Sequence, residues 1–168
     1  MSKKPLTITL IKSELIYDFQ NKAYLTGRSR KTDATDTTAE LVSNIQASDD
    51  EEDKNQALRS IQTAFAALLS EMSEGLFGVA ASTATNELMS EEGDITLHLH
   101  MPSNFNLGMK DTMCSAIHDY IVNKALADWF LITDKADAAE YATLATAALA
   151  SLRRTLYKRE RPTRREVD

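Results

Sequence analysis

From Met109 to Arg161 the chain contains neither glycine nor proline, and its 168 residues hold five of the former and three of the latter. A polypeptide so short of breakers favours helix over the frequent turns of an all-β fold. Over this stretch and the two residues before it the apolar pattern divides into two long helices, from about Leu107 to Ile132 and from about Lys135 to Arg159, meeting at ITDK. Each is expected to run ~26 residues, or ~39 Å. In the first, the polar residues His118, Asp119, Asn123, Lys124 and Asp128 are spread around the helical wheel, so that helix is expected to be central and touched on several sides. In the second, Ala138, Tyr141, Ala145, Leu149, Leu152 and Leu156 recur at intervals of three and four, a seam close to a heptad whose alanines let another helix approach closely. The short connection makes the two an antiparallel hairpin, with Trp129, Phe130 and Tyr141 in its core.

Two segments elsewhere alternate with period two instead. In DITLHLHMP, Ile95, Leu97, Leu99 and Met101 interleave with Thr96, His98 and His100, and LTITL (Leu6 to Leu10) reads the same way. Together they can form a ribbon, which is marginal alone and has to pack on helices or be completed by a neighbour's strand. Ser13 can cap a helix with apolar positions at Ile16, Phe19, Ala23 and Tyr24, ending at Gly27. The polar run GRSRKTDATDTT reads as a loop before a shorter helix from about Thr37 to Ala47. The acidic run Asp49 to Asp53 then precedes a stripe of Ala57, Leu58, Ile61, Ala64, Phe65, Leu68, Leu69 and Met72. Acids there complement the positive end of a helix dipole, the alternative being a metal or partner surface. The small-residue segment bracketed by Gly75 and Gly93 leaves helix and loop both open. The expected fold is mainly α: a helical bundle with a long C-terminal antiparallel hairpin and a small β element. Residues 1–160 form one domain and residues 161–168 a basic C-terminal arm.

A chain of this length buries about 70% of its unfolded surface, enough for a core without staples. A net charge of −6 argues against a globally basic, nucleic-acid-coating protein, so any polyanion contact must be local. The lone Cys114 excludes an intrachain disulfide and reads as a small buried apolar group. No apolar run is long enough for a membrane span, and none near the start suits a signal peptide, so a soluble, intracellularly made protein is expected. Gly-rich phosphate loops, HExxH, paired CxxC and GxSxG are all missing, which shifts weight from catalysis to binding. An enzyme would need convergent polar groups in a pocket, and no constellation in the sequence requires one. His98 and His100 share a strand face, but a metal would need further ligands and the third histidine, His118, lies on a helix. They are read as surface or interface residues, with no metal and no cofactor.

The final sixteen residues, RRTLYKRERPTRREVD, hold seven basic residues against three acids, whereas the rest of the chain holds twelve against twenty-two. Arg154, Lys158 and Arg161 are spaced to share a helical face, where cations complement the negative end of the dipole. Pro162 lacks an amide hydrogen and disfavours helical geometry at Arg161, so Arg164 and Arg165 fall outside any helix. Three uses remain open for these five cations: a solvated helix end, docking on an acidic protein surface, or contact with nucleic acid. The acidic body favours protein docking over phosphates, and the five are read as partner-binding residues.

The stretch IHDYIVNKALADWFLITDKADAAEYATLATAALASLRRTLYKRERPTRR, from Ile117 to Arg165, resembles the C-terminal helical hairpin of small neck proteins of tailed bacteriophages, the head–tail connector or adaptor class. The opening IKSELIYDFQNKAYLTGRSR is similar to that of proteins from phages of Bacteroides-type hosts. The likeness covers under a third of the chain, and the N-terminal two thirds, including the HLH strand, do not match the connector pattern. What it implies is a non-enzymatic structural protein, a homo-oligomeric ring between portal and tail proteins. Its place would be the virion, assembled in the host cytoplasm, with passing contact with DNA in a channel. The alternative from the residues alone is a cytoplasmic helical-bundle regulator with a basic nucleic-acid-binding tail.

Overall fold

The alternation in KPLTITLI and DITLHLHM is realised as two antiparallel strands in the computed structural model, which describes residues 3–29, 47, 50–72 and 86–162. β1 (Lys4–Ile11) lies against β2 (Asp94–Met101), with Lys4 opposite Met101 and Ile11 opposite Asp94. Leu6, Ile8 and Leu10 join Ile95, Leu97, Leu99 and Met101 on the buried face, while Thr7, Thr9, Thr96, His98 and His100 face solvent. Helices cover the buried face, which supplies the burial that two strands alone lack. The turn into β2 depends on Gly93, whose φ of +82° is left-handed and would cost another residue ~1–2 kcal/mol. Lys12 Nζ clamps that turn by donating to the carbonyls of Ser90 and Glu92 at 3.1 and 3.0 Å.

Helix α1 (Lys12–Ser29) follows β1 with no linker, so Ser13 lies inside its first turn instead of capping it. The buried stripe is Leu15, Phe19, Ala23 and Gly27, with Ile16 half-buried and Tyr24 exposed. Gly27 therefore does not stop the helix. Burial of that face offsets the ~1 kcal/mol that an interior glycine costs, and the helix runs on to Ser29. Helix α2 (Glu51–Glu71) buries Ala57, Leu58, Ile61, Ala64 and Leu68, with Phe65 and Leu69 partly covered, as its stripe requires. Asp50 occupies its N-cap position and Glu51, Glu52 and Asp53 its first turn, where they meet the positive end of the dipole. The short helix expected over 37–47 lies outside the described residues except for Ala47, which is buried, and residues 73–85 lie outside them too.

Helix α3 (Lys110–Thr133) is entered through a single 3₁₀ turn, Leu107–Met109, whose Gly108 N–H donates to the Asn106 side chain at 2.9 Å. Its spread of polar residues has the expected outcome. From Tyr120 to Phe130 every residue is buried except Lys124 and Asp128, which are half-buried and paired at 3.5 Å. α1, α2, α4 and β1 all pack on it. Helix α4 (Lys135–Leu156) returns antiparallel along α3 as a closely packed hairpin. Asp134 makes the corner alone: its N–H donates to Phe130 O at 2.7 Å, and its carboxylate accepts from the N–H groups of Ala136 and Asp137 at 2.9 and 3.4 Å. Ala138, Ala145 and Leu152 are buried in the seam, with Tyr141, Leu149 and Leu156 partly so.

The end of α4 differs from the sequence expectation. The helix stops at Leu156, three residues before Arg159, and the chain then runs extended beside the segment that follows β2. Asn106 N–H donates to Lys158 O at 3.3 Å and Glu160 N–H to Asn104 O at 2.8 Å, around a bridge between the fully buried Phe105 and Arg159. A waiting backbone partner thus ends the helix before Pro162 can. In consequence Arg154 alone of the expected face is helical.

Tyr141 gives a direct check on the hairpin. Its ring stacks on Phe130 with centroids 5.2 Å apart, and its hydroxyl lies 2.8 Å from Thr26 Oγ1 on α1. Tyr141→Phe keeps the stack and is expected to cost about 1 kcal/mol. Tyr141→Asp loses stack and hydrogen bond and half-buries a charge, and is expected to cost on the order of 3 kcal/mol. Urea unfolding of the two variants checks the order.

Candidate functional site

The hairpin sets the geometry of the basic residues. Arg153 Nη2, in the last turn of α4, donates to Glu71 Oε2 at 2.5 Å, which fixes the C-terminal end of α2 beside that of α4. α2 therefore runs antiparallel to α3. Its 21 residues span ~31 Å, so its acidic first turn reaches the opposite end, where α3 turns into α4. Thr26 against Tyr141 brings the last turns of α1 there as well.

The two ends differ in charge. One holds Arg153, Arg154, Lys158, Arg159 and Arg161, with Lys4 brought in by β1 and Lys110 at the start of α3, against Glu71, Asp111 and Glu160. The other holds the exposed Asp50, Glu51, Glu52 and Glu140, the half-buried Asp53 and Asp134 and the buried Asp137, against Arg28, Lys54 and Lys135. At the basic end several charges are used internally. Lys4 Nζ donates to Glu160 Oε1 at 2.7 Å and to Phe105 O at 3.2 Å. Arg159 Nη1 donates to the carbonyls of Leu156 and Lys158 at 2.7 and 3.4 Å, closing the helix C-terminus. By contrast, the side chains of Arg154, Lys158 and Arg161 are exposed and make no ion pair or hydrogen bond among the described residues. Arg164 and Arg165 lie outside those residues.

Between these groups is a surface cavity of about 580 Å³. Met72, Pro102 and Leu156 give it an apolar wall, the Arg153–Glu71 pair and Arg159 a polar one, and Tyr157, 74% exposed, stands at its side. The sequence carried no sign of this cavity, because its walls come from three separate segments. Nor did spacing distinguish Arg153 and Arg159, which are engaged, from Arg154 and Lys158, which are not.

A second polar grouping lies along α1. Asp18, Lys22 and Thr26, four residues apart, meet in turn His118 at 2.8 Å, the buried Asn123 at 3.4 Å and Tyr141 at 2.8 Å. Each of these pairs satisfies a group on the hairpin, so the row orients α1. His118 is thereby held away from His98 and His100, which stand on the solvent face of the ribbon, His98 with its Nδ1 3.3 Å from Thr7 Oγ1. Among the described residues no three His, Cys, Asp or Glu side chains come together as metal ligands. No helix among them is long and apolar enough to cross a membrane.

Comparison with protein-family models, with curated proteins and with solved structures gives no match for this chain.

Two groups on α3 have perturbed acidity. Burial, and secondarily the charge of Asp111, pushes the half-buried Cys114 thiol up. Burial pushes the Tyr120 phenol up as well, Glu71 and Asp128 adding to it and Arg153 opposing it. Both groups are held neutral by folding, so their stabilisation is complete at neutral pH and is lost as pH rises through their raised folded values. Urea stability is expected to fall from about pH 8.5 upward, and Cys114→Ser to remove the earliest part of that fall. Alkylation of Cys114 by iodoacetamide should also be slower than that of an unstructured cysteine peptide at the same pH.

Proposed function

We propose that this chain is a non-enzymatic structural subunit of a tailed-phage virion, a head–tail connector or adaptor that forms a homo-oligomeric ring between portal and tail proteins. The observation that carries the reading is the set of exposed cations Arg154, Lys158 and Arg161, which make no ion pair or hydrogen bond among the described residues and lie at the end of the bundle opposite exposed acids. A chain with unlike charges at its two ends suits head-to-tail association, and repetition of such a contact builds a ring or a filament. The helical bundle with its long hairpin agrees with the resemblance of Ile117 to Arg165 to neck proteins. In sequence the arm goes on from Arg161 with Arg164 and Arg165, and guanidinium groups can make forked hydrogen bonds to a neighbour's carboxylates.

A second reading, a cytoplasmic regulator that binds nucleic acid through this tail, draws on Tyr157. An exposed aromatic ring among unengaged cations is a combination that stacks bases and neutralises phosphates. Salt separates the two, since phosphate contacts give duplex or single-stranded binding a steep salt slope, while ring assembly proceeds without nucleic acid.

The geometry also selects the truncation that tests the arm. Among the described residues Glu160 is the last tied back to the body, through Asn104 and Lys4, so a cut after it leaves those bonds in place. Deleting residues 161–168 is expected to leave the melting temperature nearly unchanged and to weaken assembly at low salt, as seen by light scattering, with the difference shrinking as salt rises. A truncated protein that assembles as well as the full chain but no longer binds DNA would replace the connector reading with the regulator one.

A further inference from the structure

We propose that the corner between α3 and α4 of one copy seats in the cavity at the basic end of a second copy, making the association end to end and heterologous. The proposal rests on the ring-forming reading above and specifies the surfaces it would use. On the inserting side, α3 buries every large apolar residue from Met113 to Phe130 and then exposes two in succession, Leu131 at 59% and Ile132 at 74%. They stand at the bundle's tip. On the receiving side, a cavity of about 580 Å³ is within the range of sites that enclose a ligand group, and Met72, Pro102 and Leu156 give it an apolar wall for such side chains.

Charge selects this pairing over the alternatives. The corner has exposed Glu140 nearby and shares its end with Glu51 and Glu52, acids that outnumber the cations there even with Lys135 beside the corner, whereas the cavity's lining residues are next in the chain to Arg154 and Lys158, which make no ion pair or hydrogen bond among the described residues. Two corners meeting each other would bring together two ends of net negative charge, and two basic ends two of net positive charge, since at each end the minority charges are outnumbered. Only unlike ends combine apolar burial with opposite charge. A contact between unlike ends leaves a free acceptor and a free donor on every pair, so addition continues, into a ring where the rotation between copies closes and into a filament where it does not.

Cysteine pairing tests this in the full chain carrying Cys114→Ser. Ile132→Cys and Tyr157→Cys both alter residues 74% exposed, so neither should disturb folding. Oxidation of the two proteins mixed together is expected to give a disulfide between Cys at 132 of one chain and Cys at 157 of the other, with little in either protein alone. Ile132→Asp is expected to weaken self-association about tenfold or more, read by sedimentation equilibrium, at unchanged urea stability. A chain that associates but yields like-with-like disulfides, or none, overturns the end-to-end contact and leaves ring formation standing. A strict monomer at every concentration overturns both.

Discussion

Burial of α3 on nearly every side is the constraint from which the other elements take their positions. A helix with a polar face can end a fold at solvent, but the stretch from Tyr120 to Phe130 has no such face, so it must be surrounded. α4 covers one side through the alanine seam, α2 another through its Ala57 to Leu68 stripe, and α1 with β1 the remainder. The interior is not wholly apolar. Asn123 lies buried in it and is answered by Lys22, one member of the row Asp18, Lys22 and Thr26. An unanswered amide there would cost ~1–3 kcal/mol, so the row restricts which rotation of α1 the core accepts, where packing alone would tolerate several.

Periodicity made most of this readable in advance. The strands, the α2 stripe, the central helix and the hairpin each depend on residues close together in sequence, whose spacing states which side is buried. What could not be read depends on partners far along the chain. Nothing near Leu156 announces that α4 ends there, because the groups that end it are the backbone of Asn104 and Asn106. Likewise Ser13 resembles a cap, yet β1 feeds directly into α1 and the position falls inside the helix. At the basic end, spacing grouped Arg154, Lys158 and Arg161 on one helical face, while the structure leaves only Arg154 on a helix and extends the other two. Their common property is exposure without a partner among the described residues, which only the tertiary structure distinguishes from the engaged Arg153 and Arg159.

Separation of charge along the bundle is a consequence of chain direction more than of composition. α2 and α4 run the same way, one beginning with acids and the other ending with bases. In each helix those charges also favour the local dipole, so the arrangement stabilises every helix singly while giving the molecule a positive and a negative end. Single exposed pairs such as Arg153 with Glu71 contribute little, ~1 kcal/mol at most. Their value is positional, since that pair holds the cavity wall made by the ends of two helices.

Asp134 stands between two helices as the sole non-helical residue, receiving the end of one and starting the other. Such a joint has no slack. One residue added there would turn α4 by ~100° about its axis, moving Ala138, Ala145 and Leu152 off the seam together, whereas a loop of several residues would absorb the change. The corner therefore acts as a ruler for the hairpin: it tolerates substitution of its exposed neighbours far better than any change in their number.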